Sequence, residues 1–247
     1  MLIRPRPDAE QLAVALELAH AVWKSEPKEI TALMGRHGND DQMSVAPFLA
    51  TAYGKLRAAG FFQGASFAYG GDWYLGVERL PYLEARLAAD TGVTGAPPLL
   101  ARRPAGPPHK LALPPGRPVL EVWFSFRSPY SYLAVAQLGA LIAGLDVDLR
   151  LRPLLPLVER GAQMPRVKTM YIARDAHREA VRQGIPFGRI ADPLGDAARN
   201  AIAVQRAATA AGRGLAFAES ALRGIWAEAL DLALQHLGRH VRELALE

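Results

Sequence analysis

Apolar residues in the first 60 positions recur with the spacing of helices. Residues 8–25 place apolar side chains every three or four positions, and Asp8 precedes them as a candidate N-cap. A second helix is predicted from Pro27 to Met34. A third is predicted over residues 41–59, where Pro47 must start the helix late or kink it. The opening of the chain is therefore predicted to be helical.

The pattern changes to that of a β-hairpin near residue 64. Two short aromatic runs, Ser66–Tyr69 and Trp73–Leu75, flank the sequence Gly70-Gly71-Asp72. Glycine adopts the positive φ values of a tight hairpin turn without steric strain. Residues 78–89 then repeat leucines along one helical face, so the predicted order is strand, strand, helix.

A proline-rich stretch separates this half from a second one. Residues 91–118 contain eight prolines and no apolar period, which is typical of an extended linker. Residues 120–126 then read as a strand, 128–143 as an apolar helix and 145–155 as an alternating strand. Such a βαβ unit predicts two parallel strands joined by a crossover helix.

Helices are predicted in the remainder over residues 166–184, 194–212 and 215–246. The predicted organisation is thus residues 1–90 as helices plus a ββα half, 91–118 as a linker, and 119–247 as a βαβ half plus helices.

Composition excludes several kinds of chemistry. The chain has no cysteine, which excludes disulfides, thiolate metal ligands and a cysteine nucleophile, so that any thiol must come from a small molecule. Its histidines lack zinc-motif spacing, and no metal is predicted. The net charge of +5 is carried by residues 96–247, but no basic stripe with exposed aromatic residues accompanies it, so no nucleic-acid partner is predicted.

The distribution of apolar residues also argues against a membrane protein. No apolar run approaches the roughly 20 residues that span a bilayer, and the first residues lack the apolar core of a signal peptide. We therefore expect a cytoplasmic protein.

Ser128 and Pro129 stand where the strand over 120–126 ends and the next helix begins. Serine is a preferred N-cap, and proline fits the first helical position because the amide hydrogen that it lacks would have no partner there. The same geometry would let the serine hydroxyl and free amides stabilise a thiolate, carboxylate or phosphate. Both interpretations remain open from these residues alone.

A second constellation lies in the helix predicted over 166–184. Four polar residues share one helical face because they are three or four positions apart: Lys168, Tyr171, Asp175 and Arg178. Such a face is usually solvated. It could also pair internally, or present a cation and a phenol to an anionic ligand.

Several short motifs resemble a known family, the 2-hydroxychromene-2-carboxylate isomerase group, which is related to kappa-class glutathione transferases and to the DsbA-like thioredoxin superfamily. The resemblance runs over residues 120–230 and rests on VWFSFRSPYSYLA, RPLLP, KTMYIARDAHREA, GIPFGRIADP and FAESALRGIWAE. The stretch GASFAYGGDWYLGVERLPYLEARL resembles the hairpin and helix that close the same fold.

The resemblance implies an α/β, thioredoxin-like fold with a mixed four-stranded sheet and large helical insertions. The order of elements is permuted, because the closing ββα half precedes the βαβ half. Our structural hypothesis is that the two halves complement each other in one composite domain, the alternative being exchange between chains in a homodimer.

The function that the resemblance implies is a glutathione-dependent isomerase or transferase acting on a conjugated aromatic carboxylate. Ser128, with Pro129, would hold the glutathione sulfur, and Glu78 and Arg79 would help to bind glutathione. The substrate cleft would be lined by Lys168, Tyr171, Asp175 and Arg178.

Three positions depart from the family pattern. Ser125 replaces an acidic residue, Ala162 stands where a loop asparagine is common, and Ser66 follows Gly64-Ala65 with no proline before the hairpin. The missing proline and the altered order favour an alternative function, that of a catalytically silent thioredoxin-fold binding protein.

Overall fold

The computed structural model of the chain describes residues 9–37, 45–93 and 116–230. The chain divides into two compact units, Met1–Phe62 and Gln63–Glu247. The described part of the first unit forms three helices, α1 (Ala9–Trp23), α2 (Pro27–His37) and α3 (Val45–Ala58).

The three helices predicted for this unit are confirmed. Helix α3 begins at Val45, so Pro47 lies in its first turn, where a backbone amide needs no helical partner. The predicted cap Asp8 and residues 41–44 of the predicted third helix lie outside the described residues.

The second unit opens with the predicted hairpin. Strands β1 (Ser66–Tyr69) and β2 (Asp72–Leu75) are antiparallel, with Tyr69 opposite Asp72. The two-residue turn has φ values of +57° at Gly70 and +77° at Gly71, which are the positive values that a tight turn of this kind requires. A 3₁₀ turn (Val77–Arg79) and helix α4 (Leu80–Thr91) follow.

The predicted βαβ unit is also present. Strands β3 (Val119–Phe124) and β4 (Asp148–Pro153) pair in parallel, and helix α5 (Pro129–Ile142) connects them. Phe124 and Leu151 lie in the buried core of the unit. Because the two strands are parallel, their carboxyl ends lie at the same edge of the sheet. Helix α5 begins at Pro129, shortly after β3 ends at Phe124.

Among the described residues, three more helices follow: α6 (Arg166–Gln183), α7 (Asp196–Ala210) and α8 (Gly214–Ala227). Helix α5 packs against α6 and α8, and α7 packs against α8. The largest fully buried side chains of this core include Phe124, Phe126, Val135, Phe217, Leu222 and Ile225.

The prediction that the last helix continues beyond residue 227 is wrong for residues 228–230. Ala229 has a φ of +55°, and its amide donates to the carbonyl oxygen of Arg189 at 2.9 Å. The chain therefore leaves the helical path after Ala227 and makes a backbone hydrogen bond to the segment between α6 and α7. The rest of the predicted helix, residues 231–246, lies outside the described residues.

The predicted single four-stranded sheet requires a correction. Within the described residues, the strands form two separate sheets, β1 with β2 and β3 with β4. The amide of Leu75, in β2, donates to the hydroxyl of Tyr171 on α6 at 3.1 Å. Strand β2 thus donates a hydrogen bond to a side chain of helix α6. The fold still combines helices and strands, as predicted, but the four described strands do not form one hydrogen-bonded sheet.

None of the helices within the described ranges combines the length and apolarity needed to cross a membrane.

Candidate functional site

Ser128 caps the N-terminus of α5, as predicted. Its Oγ accepts the backbone N–H of Ser131 at 3.2 Å, and its own N–H donates to the carbonyl oxygen of Ser125 at 3.0 Å. Pro129 follows at the start of the helix and is buried. Because Oγ is used as an acceptor, the hydroxyl proton of Ser128 is left to donate, and it makes no hydrogen bond within the described part of the chain.

An apolar cavity of about 300 Å³ lies beside this N-terminus; we call it the Ser128 cavity. Its wall is mostly apolar and includes Pro156, Leu157, Met164, Ile172, Ile190 and Trp226. The charged residues of the wall are Arg127 and Asp192, which pair through two hydrogen bonds of 2.6 and 2.8 Å. The cavity therefore joins a helix N-terminus to a surface suited to apolar ligands.

The carboxylate of Asp175, on α6, is the centre of a buried polar network. Its side chain is 1% exposed and accepts hydrogen bonds from Arg79 at 2.7 and 2.8 Å and from the Tyr130 hydroxyl at 2.7 Å. Arg178 and the Tyr171 hydroxyl each approach the same carboxylate at 3.3 Å. We call these five residues the Asp175 network.

The protonation states in the network follow from burial and charge. Burial raises the pKa of Asp175, but hydrogen bonds from Arg79 and Tyr130 and the charges of Arg79 and Arg178 outweigh it, so that the pKa lies below its usual range. Burial, together with the charge of Asp175, raises the pKa of Tyr171 to about 12. Burial and the hydrogen bond to Asp175, together with the charge of that carboxylate, raise the pKa of Tyr130. At neutral pH the carboxylate is therefore ionised and both phenols are hydrogen-bond donors.

The network also connects α6 to the hairpin. Arg178 pairs with Asp72 at 2.6 Å, and its guanidinium carbon lies 4.7 Å from the centroid of the Tyr74 ring. The buried Tyr171 accepts the amide of Leu75 through the hydroxyl that donates to the Asp175 carboxylate. Of the arrangements considered for this helix face, the structure has internal pairing. A role for Tyr171, Asp175 and Arg178 in substrate binding stays a prediction.

A second cavity, of about 650 Å³, lies beside Arg79; we call it the Arg79 cavity. Exposed Glu78 and partly buried Arg79 line it, together with Tyr130, Tyr82, Glu179 and Arg182. Arg79 pairs with Glu179 at 3.2 Å, and Tyr82 donates to Glu179 at 2.9 Å. The Ser128 cavity has one acidic and one basic side chain in its wall, whereas this cavity has two of each.

Tyr130 lines both cavities, and its hydroxyl is held by Asp175. The predicted site residues are thus divided, with Ser128 and Pro129 in one cavity and Glu78 and Arg79 in the other. Lys168 is half-buried one turn before Tyr171 on α6 and lines neither cavity.

Sequence reasoning missed Tyr130 and Glu179. Glu179 lies four positions after Asp175 and could have been found on the same helical face. Tyr130 follows the Ser-Pro pair directly, but its partner lies 45 positions away, and no local pattern predicts that contact.

The three departures from the family pattern have distinct environments. The Ser66 hydroxyl donates to the carbonyl oxygen of Gln63 at 2.7 Å, and the amide of Ala162 donates to the carbonyl oxygen of Leu157 at 3.0 Å. Ser125 differs from both, because its Oγ is buried and has no hydrogen-bond partner in the described residues.

Comparison with known proteins adds three findings. No curated protein matches the chain. A solved structure of a 2-hydroxychromene-2-carboxylate isomerase is similar to it, with 23% sequence identity and a TM-score of 0.44. The match covers 52% of this chain and 66% of that one, slightly less than two thirds of its length.

The third finding concerns the family. The family model for the DsbA-like thioredoxin domain matches residues 119–246, slightly more than half of the chain. This range contains the whole βαβ unit and helices α6 to α8. The predicted relationship to the DsbA-like superfamily is thereby confirmed, and the chain belongs to the DsbA-like thioredoxin domain family.

Proposed function

We propose that this protein is a glutathione-dependent isomerase or transferase in which Ser128 orients the glutathione thiolate. The observation that carries the proposal is the hydroxyl of Ser128, whose oxygen accepts the N–H of Ser131 while its proton makes no hydrogen bond within the described residues. A thiolate is a suitable acceptor for that proton. The positive end of the α5 dipole would further favour thiolate over thiol.

The peptide part of glutathione would lie on the other side of Tyr130, in the Arg79 cavity. Glutathione carries two carboxylates and one ammonium group, so that its site needs charges of both signs. Glu78, Arg79 and Arg182 line this cavity and supply them. Tyr130 lines both cavities. A glutathione molecule bound in the Arg79 cavity would therefore extend past the Tyr130 ring and place its thiol beside Ser128.

The second substrate would be a conjugated aromatic carboxylate whose ring system lies in the Ser128 cavity. In the isomerase reaction the sulfur forms a bond to one carbon of the conjugated double bond, and the electron pair moves into the conjugated carbonyl group. The resulting single bond rotates. The electron pair then returns, the carbon–sulfur bond breaks, and the thiolate is regenerated. In a transferase the carbon–sulfur bond would persist and the neighbouring carbon would take a proton.

Isothermal titration with glutathione tests the proposal, using three variants at one position. Ser128→Ala removes the proton donor and should weaken binding. Ser128→Asp keeps a helix-capping acceptor but puts a negative charge near the sulfur, so it should bind more weakly than the alanine variant. Ser128→Thr keeps both the cap and the hydroxyl and should bind like the wild type.

Thiolate formation is a second measurement on the same samples. The ultraviolet absorbance of bound glutathione should show a thiolate at neutral pH with the wild type and the threonine variant. It should not do so with the alanine and aspartate variants. No binding of glutathione at millimolar concentration by the wild type would refute the proposal.

A second candidate is a catalytically silent binding protein, and the Asp175 network favours it. Arg79 and Arg178 are both paired with Asp175, and Arg178 also with Asp72, which leaves less of their charge for a ligand. This function predicts that the Ser128 cavity binds apolar ligands while glutathione neither binds nor reacts.

We also propose that the ββα and βαβ halves form one composite domain within a single chain. The contacts of Arg79 and Leu75 with α6 support this arrangement, as does the inclusion of both halves in one compact unit. A monomeric mass with one cooperative unfolding transition is the expected result. An obligate dimer that loses all structure on dilution would instead indicate exchange of halves between chains.

A further inference from the structure

The hydroxyl of Ser125 is a buried polar group that the proposed mechanism does not use. Ser125 directly follows β3, its amide donates to the Ser131 hydroxyl at 3.2 Å, and its carbonyl oxygen accepts the N–H of Ser128. Its backbone is thus fully engaged, whereas its Oγ has no partner in the described residues. A buried hydroxyl without a partner is destabilising, and natural structures contain few of them.

Ser125 lines the Ser128 cavity, and its Oγ, unlike the other polar groups of the wall, makes no hydrogen bond at all within the described residues. The Oγ of Ser128 accepts the N–H of Ser131, and the Tyr130 hydroxyl donates to Asp175. The Thr169 hydroxyl donates to the carbonyl oxygen of Pro165, and the Trp226 indole donates to that of Phe126. The two charged residues of the wall, Arg127 and Asp192, pair with each other.

The charged pair lies at the rim of the cavity, because the side chain of Asp192 is 55% exposed. Apart from this pair the wall carries no charge, and an ionised carboxylate against it would lose its hydration with little in return. An uncharged oxygen loses far less and could be satisfied by one hydroxyl.

The volume of the cavity limits the size of the ligand. A dry apolar cavity of about 150 Å³ holds one benzene ring. The Ser128 cavity, at about 300 Å³, therefore has room for about two fused rings.

We propose that Ser125 is a specificity-determining residue whose hydroxyl hydrogen-bonds an uncharged oxygen of a two-ring apolar ligand in the Ser128 cavity. Serine has three staggered rotamers, so that the hydroxyl turns from its covered position toward a ligand atom that offers a partner. Any ionised group of the ligand stays at the rim, near Arg127. The inference rests on the proposed function in one respect, because this cavity is where the second substrate would meet the thiolate.

The test uses three naphthalene probes of similar shape without glutathione: 2-naphthol, 2-methylnaphthalene and 2-naphthoate. Binding is measured by titration calorimetry. We expect the wild type to bind 2-naphthol about three- to tenfold more tightly than 2-methylnaphthalene, which is the range of one neutral hydrogen bond. The carboxylate probe should bind more weakly than 2-naphthol.

Two variants separate the Ser125 hydroxyl from the cavity as a whole. Ser125→Ala should bind both neutral probes equally. Thr169→Val removes a hydroxyl from the same wall that already has an acceptor, so it should keep the wild-type preference.

Three results would overturn the inference: no binding of any probe, a Ser125→Ala variant that keeps the preference, or a wild type that binds the carboxylate probe as tightly as 2-naphthol. The first and third need no variant to fold. Because glutathione is absent, failure of the glutathione titration leaves this outcome unaffected, and the two proposals fail separately.

Discussion

Replacing Asp175 by asparagine tests whether the Asp175 network holds the hairpin segment, residues 63–93, to helix α6. The substitution keeps the size of the side chain but removes its charge. It also places an amide NH₂ group among groups that all donate: the Arg79 guanidinium, the Tyr130 hydroxyl and the Arg178 guanidinium. A network built around one buried acceptor therefore loses its complementarity.

The magnitude follows from the partners that remain. Removing one member of a buried ion pair destabilises a protein by about 3–5 kcal/mol. Here Arg79 keeps Glu179 at 3.2 Å, and Arg178 keeps Asp72 at 2.6 Å, so neither guanidinium is left alone. We expect the lower end of the range, about 3 kcal/mol, and a Tm lower by about 6–12 °C for a domain of this size.

Urea unfolding followed by tryptophan fluorescence measures this loss. The matched control is Asp90→Asn, which removes a carboxylate from an exposed pair with Arg86 at 2.8 Å and should change the free energy of unfolding little. If the Asp175 variant proves no less stable than this control, the network does not stabilise the unit.

The pH dependence provides an independent check. The net effect of the network lowers the pKa of Asp175 in the folded state. An aspartate with a lowered pKa stabilises the fold above the unfolded value of about 3.9 and loses that contribution as the pH falls further. The gap in stability between wild type and Asp175→Asn should therefore be largest at pH 6–7 and shrink below about pH 4. A gap independent of pH would contradict an ionic origin.

Two further substitutions address other contacts. Tyr171→Phe removes the oxygen that accepts the Leu75 amide. Hydrogen exchange at that amide should therefore be about tenfold faster, which corresponds to the loss of one hydrogen bond. Exchange at the wild-type rate would contradict the contact. Gly214→Ala would place a Cβ 2.5 Å from the Thr209 hydroxyl and 3.1 Å from its Cα, and should lower stability by about 1–3 kcal/mol in thermal unfolding. Gly139→Ala is the control inside a helix, because its Cβ would meet nothing closer than 3.4 Å and should leave stability equal or higher.

The elements were predictable where local patterns determine them. Two short aromatic runs and the glycine turn between them predicted β1 and β2. A strand-like run, an apolar helix and an alternating strand predicted β3, α5 and β4. Ser128 was recognisable as a cap because capping depends on a few neighbouring residues.

The connection between the two halves was not predictable in the same way. A single four-stranded sheet was expected, but Leu75 bonds to a side chain on α6, and Arg79 reaches Asp175 across 96 positions. The resemblance assigned Arg79 to glutathione binding and Asp175 to the substrate cleft, without showing that the two side chains pair. Likewise, the end of α8 depends on a backbone bond to Arg189, which no periodicity contains.

The long sequence separation of these contacts also bears on how the unit folds. The hydrogen bonds between the hairpin segment and α6 join residues 96 to 106 positions apart. Closing so long a loop has a large entropic cost before any of these bonds forms, whereas β3, α5 and β4 assemble from nearby residues. We expect the βαβ unit and its helices to fold first and the hairpin segment to dock afterwards. Glu78 and Arg79 would then complete the Arg79 cavity only in the final step of folding.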